Sequence, residues 1–361
     1  MRAALVEGAE VPGDVGVADG AIAAVGLQPA GASGLAVPGF VDLQVNGFAG
    51  VDFLAADAEG HRRAREALVA TGVVAYQPTF VSSPEDAYAA ALAEVAALGD
   101  GPGARIAGVH LEGPFISPRW PGAHDPAHLR EPDAALADRL CDAAPVTMVT
   151  LAPELDGGLE LVARLVARGV VVSVGHSDAD APTAHAAFDH GARAITHIYN
   201  AHRRWVARDP GPAGAALVRA GVAVPAIVDG VHLAPEAVLG AYLAARERFC
   251  LITDAIEAAG LGPGTYRLGD REVHVADGAC RLADGRLAGA VLTMDEAVRN
   301  LVSYGVALAD AVHAASTAPA RLLRRDDLGV LRPGAPAHVA VLDDELRVTR
   351  TLVAGAEGFA A

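Results

Sequence analysis

Residues 170–177 read Val-Val-Val-Ser-Val-Gly-His-Ser, a short run rich in valine that ends in a histidine and a serine. A short apolar run of β-branched residues predicts a buried strand. The segment before it, Leu159–Arg168, has apolar residues at helical spacing and predicts a helix. A helix and a strand in succession suggest one unit of an alternating fold.

Seven further apolar runs of this kind occur along the chain, and most are separated by segments with helical spacing. They are Gly39–Val45, Gly72–Thr79, Arg105–Leu111, Val146–Leu151, Ala194–Thr196, Val222–Val228 and Phe249–Thr253. With Val170–Val174 they make eight βα-like units. The sequence therefore predicts an α/β fold, a (β/α)8 TIM-type barrel.

The chain ends have a different texture, with short apolar pieces separated by glycine and proline. We predict a small β-sandwich domain built from both termini, residues 1–37 and 331–361. It flanks a barrel over residues 38–330. Short strands separated by glycine predict a β-hairpin insertion near residues 260–289, before the eighth helix.

The composition excludes several kinds of chemistry. The chain has 361 residues and a formal net charge of -16, and all 28 of its basic residues are arginine. Without lysine there is no Schiff base, no phosphate-loop lysine and no carboxylated lysine bridging two metals. The acidic balance argues against nucleic acid and anionic membranes as partners.

No apolar stretch is long enough for a membrane span, and no signal peptide is apparent. Cys141, Cys250 and Cys280 are scattered and form no metal or disulfide pattern. Together these observations predict a cytoplasmic protein.

Polar residues at the strand ends indicate the chemistry, because active sites of such barrels lie at the carboxyl ends of the strands. Glu112, His176 and His197 follow the third, fifth and sixth runs and suit a divalent metal. Each histidine alone could be a structural barrel residue, but three such residues together favour a metal site. Asp254 follows the eighth run as a candidate general base, or alternatively a structural cap.

Several motifs then resemble one known family. They are Val37-Pro-Gly-Phe-Val-Asp-Leu-Gln-Val-Asn-Gly47, His110-Leu-Glu-Gly-Pro-Phe115, Gly122-Ala-His-Asp-Pro126, Val174-Gly-His-Ser177, Thr196-His-Ile-Tyr-Asn-Ala201, Asp229-Gly-Val-His232 and Leu251-Ile-Thr-Asp-Ala255. In this order they resemble the N-acetylglucosamine-6-phosphate deacetylase family of the amidohydrolase superfamily, over essentially the whole chain. The resemblance implies release of acetate from N-acetyl-D-glucosamine 6-phosphate, giving D-glucosamine 6-phosphate.

The resemblance also implies roles for single residues. Glu112, His176 and His197 would hold the metal, Asp254 would act as acid and base, and His124 would polarise the amide carbonyl. The sugar would be lined by Gln44, Ala123, His124, Asn200, Ala201, Leu287, Ala288, Gly289 and Ala290.

For the phosphate, the resemblance implies Arg208 and His232, contributed by the neighbouring subunit of a homodimer. Outside the resemblance, Arg208 could simply be a solvated arginine.

The chain departs from related patterns at several positions. Many amidohydrolases hold a second metal with His-x-His after the first strand, where this chain has Gln44 and Asn46. We therefore predict one divalent metal per subunit, with Zn²⁺ as the first expectation. Fe²⁺, Mn²⁺ and Co²⁺ accept the same ligands. Glu257, His202 and Ala290 are further departures, which bear on the range of substrates.

Two alternatives stay open at this point. One is N-acetylgalactosamine-6-phosphate deacetylase or another N-acyl hydrolase of the superfamily. The other is a silent barrel that binds a sugar phosphate without catalysis, against which the intact set of Glu112, His176, His197 and Asp254 argues.

Overall fold

The computed structural model describes residues 1–361, and eight parallel strands form a barrel at its centre. We number them one to eight: Phe40–Val45, Val73–Val81, Val109–Glu112, Val146–Leu151, Val171–Val174, Ala194–Ile195, Val224–Ile227 and Phe249–Ile252. The helices that follow them are Ala58–Leu68, Glu85–Ala97, Ala134–Ala143, Gly158–Ala167, Ala181–Asp189, Gly211–Val218, Pro235–Ala245 and Met294–Ser303. The predicted TIM-type barrel is thus confirmed.

The third predicted run, Arg105–Leu111, is interrupted in the structure. Arg105–Ile106 pairs with strand two, and Val109–Glu112 begins only after Gly108. Gly108 has φ of +110°, and a Cβ there would lie 2.1 Å from the Thr147 hydroxyl oxygen. The interruption therefore comes from a close approach to strand four that only glycine permits.

The hydrogen-bonded wall of the barrel is regular on one side and irregular on the other. Strands one to six form a continuous ladder, and strands seven and eight pair with each other. Strands one and eight meet without a ladder, through the backbone bonds Asp254 N–H to Gln44 O (3.0 Å) and Asn46 N–H to Ala255 O (2.7 Å). We call this junction, with Asp42 and Thr253, the closing seam.

Both chain termini contribute to one six-stranded sheet at the side of the barrel. Its strands are Ala3–Val6, Ala9–Pro12, Leu35–Pro38, Val339–Leu342, Val348–Val353 and Ala356–Ala360. A hairpin of Asp14–Ala18 and Ala21–Leu27 packs against it, with Ala4, Ile22 and Val339 among the side chains buried between them.

An antiparallel sheet is inserted between strand eight and the eighth helix. It has four strands, Gly264–Leu268, Arg271–Ala276, Ala279–Arg281 and Leu287–Ala290. The last strand bonds to the barrel, because Ala290 N–H donates to Asp254 O (2.9 Å) and Ile256 N–H to Ala290 O (3.1 Å). This contact brings the insertion to the carboxyl end of strand eight.

The remaining elements are short. They are the strand pair Gly47–Phe48 and Val51–Asp52, the helices Leu308–Ala315 and Thr317–Leu322, and the 3-10 turns Val69–Thr71, Pro126–His128 and Arg246–Arg248. None of the helices combines the length and apolar character needed to cross a membrane.

Candidate active site

Three buried side chains converge at the carboxyl ends of strands three, five and six. Glu112 Oε1 lies 3.0 Å from His197 Nε2 and 3.3 Å from His176 Nε2. The two Nε2 atoms are 3.2 Å apart. We call these three residues, which could hold a metal ion, the ligand wall, since their strands belong to the continuous part of the barrel sheet.

Backbone carbonyls fix the proton on each imidazole of the ligand wall. His176 Nδ1 lies 2.9 Å from Trp120 O, and His197 Nδ1 lies 3.2 Å from Asn200 O. A carbonyl only accepts, so both Nδ1 atoms carry the proton and both Nε2 atoms present lone pairs. Two imidazole nitrogens and one carboxylate oxygen that face one another suit a divalent metal.

The protonation states of His176 and Glu112 agree with metal binding, whereas for His197 the contact with Glu112 outweighs burial and raises the pKa. Burial lowers the pKa of His176 to about 4, so its ring is neutral near pH 7. Burial by itself would raise the pKa of Glu112, but its contacts with His124, His176 and His197 outweigh burial and hold it well below the ordinary value. A neutral imidazole and an ionised carboxylate are the forms that bind metal.

Backbone strain marks the same residues. His176, His197 and Asp254 have φ of +50°, +25° and +51°, in the region that favours glycine. Strained residues of this kind persist where the surrounding structure holds them, and they cluster at functional sites.

Asp254 lies opposite the ligand wall, and two amide side chains hold one of its oxygens. Its Oδ1 accepts from Gln44 Nε2 at 3.0 Å and from Asn46 Nδ2 at 2.8 Å. No side chain donates to Oδ2, which leaves that oxygen free to take a proton. Burial, and then the charge of Glu112, raise the pKa of Asp254 to about 6, a suitable value for a base near neutral pH.

Asp42 connects the two strands of the closing seam beneath Asp254. Its carboxyl accepts from the Thr253 hydroxyl at 2.6 Å, from Thr253 N–H at 3.2 Å and from Gln44 N–H at 3.3 Å. Burial raises the pKa of Asp42 to about 7, although these hydrogen bonds partly offset it. A side chain thus replaces the missing ladder between strands one and eight.

His124 extends towards the ligand wall from the loop after strand three. Ser82 N–H donates to His124 Nδ1 at 3.0 Å, so the ring carries its proton on Nε2. That Nε2 lies 3.6 Å from Glu112 Oε2. His124 therefore presents an N–H donor beside the metal-ligand atoms.

These side chains surround a cavity of about 400 Å³. Of the residues that the sequence singles out, those that line it are Glu112, Ala123, His124, His176, His197, Asn200, Ala201, His232, Asp254, Leu287 and Gly289. Gly289 has φ of +62°, and a Cβ there would lie 2.4 Å from Ile256 Cγ2. Glycine thus lets the inserted strand approach Asp254.

Four of the residues expected around the substrate do not line this cavity: Gln44, Arg208, Ala288 and Ala290. The Gln44 amide donates to Glu112 and Asp254 instead. Ala288 and Ala290 face the protein core, because side chains alternate along a strand. Arg208 lies in an exposed segment outside the cavity.

Three departures from the family pattern also lie outside the cavity. Glu257 accepts from Arg267 N–H at 2.6 Å and so anchors the insertion. His202 is buried and bonds to Thr196 O at 2.8 Å, and Ala290 packs in the core. None of these three residues lines the cavity.

Several residues that shape the site are absent from the set predicted from the sequence. Trp120 supplies a carbonyl to His176, and Ser82 orients His124. Arg204 lines the cavity, four positions before Arg208. Its place three residues after the Asn200-Ala201 motif was an available signal, whereas residue types do not show which backbone carbonyl contacts a side chain.

Comparison with known proteins places this geometry among related enzymes. The model of the amidohydrolase family matches residues 35–358. An N-acetylgalactosamine-6-phosphate deacetylase of Escherichia coli O157:H7 is 39% identical, covering 94% of this chain and 93% of that protein. An N-acetylglucosamine-6-phosphate deacetylase of Rattus norvegicus is 41% identical, covering 88% and 82%.

A solved structure is similar over almost the entire chain. It is a mutant of the N-acetyl-D-glucosamine-6-phosphate deacetylase from Mycobacterium smegmatis, in complex with N-acetyl-D-glucosamine-6-phosphate. The TM-score is 0.93 at 35% identity, with 99% of this chain and 98% of that chain covered.

Proposed function

The chain belongs to the amidohydrolase family, and we propose that it removes the acetyl group of N-acetyl-D-glucosamine 6-phosphate, producing acetate and D-glucosamine 6-phosphate. The protein is a hydrolase, as its curated relatives and structural neighbours are. One observation carries the assignment to a reaction: the ligand wall, the His124 donor and the Asp254 base all border one cavity.

The ligand wall is proposed to hold one divalent metal, with Glu112, His176 and His197 as ligands and Zn²⁺ as the first expectation. The amides at Gln44 and Asn46 are weak metal ligands, and their N–H donors are directed at carboxylates, so no second metal is proposed. Such a metal supplies a Lewis acid for the amide carbonyl and lowers the pKa of water.

The chain's own residues perform the remaining steps. His124 Nε2–H donates to the amide oxygen, where negative charge develops as the carbonyl is attacked. Asp254 Oδ2 takes a proton from the attacking water and passes it to the leaving nitrogen as the carbon–nitrogen bond breaks. Gln44 and Asn46 keep the other oxygen of Asp254 occupied, which directs Oδ2 to this transfer.

The phosphate would supply binding energy remote from the reacting bond. His232 lines the cavity of its own chain, and Asp229 Oδ2 holds its Nδ1 at 2.7 Å, which leaves Nε2 for a ligand. Arg208 is exposed and has no acidic partner. We propose a homodimer in which Arg208 reaches the neighbouring active site, and a cytoplasmic location consistent with three unpaired cysteines.

The galacto epimer is the second candidate substrate. The Escherichia coli relative that covers 94% of this chain is named for N-acetylgalactosamine 6-phosphate. The two substrates share the acetamide and the phosphate, so the residues described above serve either.

Acetate release from a substrate panel tests the proposal. The metal-loaded protein is given N-acetylglucosamine 6-phosphate, its galacto epimer and unphosphorylated N-acetylglucosamine. The highest kcat/KM is expected for the gluco phosphate. A higher value for the galacto phosphate would reverse the choice of epimer, and no acetate from any of the three, with metal bound, would exclude deacetylation.

A further inference from the structure

Arg204 differs from the other arginines that line the active-site cavity. These arginines are Arg119, Arg204 and Arg286. Arg119 pairs with Asp178, and Arg286 pairs with Asp284 and donates to Gly122 O at 2.5 Å. Arg204 has no ion pair and no hydrogen bond within the chain. The cavity therefore contains one arginine whose donors are all available to a ligand.

Contacts on both sides of Arg204 hold its segment to the rest of the chain. Arg203 forms an ion pair with Asp209 at 2.6 Å and donates to Asp178 O at 3.2 Å. Val206 N–H donates to Asp209 O at 3.0 Å, and Asp209 N–H donates to Val206 O at 2.9 Å, which closes a tight turn. Arg204 thus lies between the anchored Arg203 and this turn, which reduces the backbone entropy that is lost when it binds a ligand.

The negative charge of the protein and of the cavity opposes the binding of an anionic substrate unless a cation is present. The protein has a formal net charge of -16, and Glu112 and Asp254 add two carboxylates to the cavity. A bound divalent metal would offset the negative charge of these two carboxylates but would leave no positive charge for a further anion. A phosphate monoester entering the cavity needs further positive charge, and arginine matches its oxygens with a two-pronged donor.

From these observations we infer that Arg204 binds the phosphate of the substrate within its own chain and selects phosphorylated over neutral amino sugars. The inference rests on the proposed deacetylase function. It adds a cation to the cavity that His232 also lines, and it does not depend on a neighbouring subunit. Arg204 is a specificity-determining residue here, since it contacts the substrate away from the reacting bond.

Steady-state kinetics of Arg204→Ala test the inference. KM for N-acetylglucosamine 6-phosphate should rise roughly 10- to 100-fold, because a charge-assisted hydrogen-bonded pair is lost. The kcat, the metal content and the weak activity on unphosphorylated N-acetylglucosamine should stay within about twofold of wild type. Arg204→Lys should restore part of the loss, since lysine keeps the charge without the fork.

Arg63→Ala is the matched control, because Arg63 is also exposed and without an ion pair but lies on the first helix, away from the cavity. It changes the net charge equally and should leave KM unchanged. An unchanged KM in Arg204→Ala, or equal losses on phosphorylated and neutral sugars, would overturn the inference. Inactivity of the wild type on every sugar would instead reject the deacetylase function itself.

Discussion

The ligand wall and the closing seam lie on opposite sides of one cavity and are built differently. In the ligand wall, the backbone performs the positioning: strands three to six form a ladder, and the carbonyls of Trp120 and Asn200 orient the two histidines. In the closing seam, side chains perform it: Asp42 connects the strands, and Gln44 and Asn46 hold the Asp254 carboxylate.

This difference predicts how the two regions respond to substitution. Backbone contacts survive the loss of a side chain, so a substitution in the ligand wall should remove a proposed metal ligand and leave its neighbours in place. In the closing seam, one side chain sets the orientation and proton affinity of another, so substitutions there change the base while the metal is retained.

Glu112→Gln should have the largest effect. The variant loses the charged metal ligand, so kcat should fall at least about 10⁴-fold, because carbonyl polarisation and water activation are lost together. Elemental analysis should find less than one metal per subunit. Glu257→Gln, a carboxylate outside the cavity, should keep both metal and turnover. A full metal content in Glu112→Gln would show that this carboxylate is not a ligand.

Asp254→Asn should keep the metal and lose most of kcat. The asparagine can still accept from Gln44 and Asn46 but cannot take the proton, and the expected loss is about 10²- to 10⁴-fold. Metal content and kcat are measured on the same preparation. If the metal is lost as well, Asp254 belongs to the ligand set and the contrast between the two regions fails.

Asn46→Ala should shift the pH dependence of kcat. Burial and the Glu112 charge raise the pKa of Asp254 to about 6, whereas the Asn46 hydrogen bond lowers it and a bound cation would lower it further. The acid limb of the wild type is thus expected at or below pH 6. Without the Asn46 donor the pKa of Asp254 rises. On acidification, the variant should therefore lose activity at a higher pH than the wild type does.

The size of the Asn46→Ala effect at pH 8 should be modest, about tenfold in kcat, since one hydrogen bond to a charged group is removed. Asp254→Asn is the control, because it lacks the carboxylate whose titration would produce the acid limb. An unshifted limb in Asn46→Ala would mean that another group titrates in the wild type.

The two regions also differ in how far the sequence could predict them. The strand ends carrying Glu112, His176 and His197 follow from local patterns, because apolar periodicity marks each strand and parallel strands end at the same edge. The bond from Thr253 to Asp42 joins residues 211 positions apart, and no local pattern reports such a pair. The convergence of Glu112, His176 and His197 was therefore predictable, whereas the contacts that join the two strands of the closing seam were not.

The loops show the same limit. Arg208 and Arg204 are four residues apart on one segment, yet only Arg204 lines the cavity of its own chain. The direction of each side chain depends on the turn closed by Val206 and Asp209, which residue types alone do not reveal. The predicted β-hairpin insertion near residues 260–289 has four strands in the structure. Its last strand, Leu287–Ala290, also pairs partly with the barrel.

Asp42→Asn should have the smallest effect on turnover, less than about threefold, and its main effect should be on stability. Burial raises the pKa of folded Asp42 to about 7 from an ordinary value of 3.8. The folded protein therefore keeps a proton that the unfolded chain releases, and this group makes unfolding easier as pH rises from 4 to 7.

Asparagine has no proton to lose, so the difference in unfolding free energy between Asp42→Asn and wild type should grow with pH, by roughly 1 kcal/mol per unit between pH 5 and 7. Denaturant unfolding of both metal-loaded proteins across this range measures it, and titrations shared by the two proteins cancel in the difference. The amide can still accept from Gln44 N–H and Thr253 N–H and can donate to the Thr253 hydroxyl. A difference that does not vary with pH would show that Asp42 is ionised over this whole range. The two strands of the seam would then be joined by a charged carboxylate and not by a protonated one.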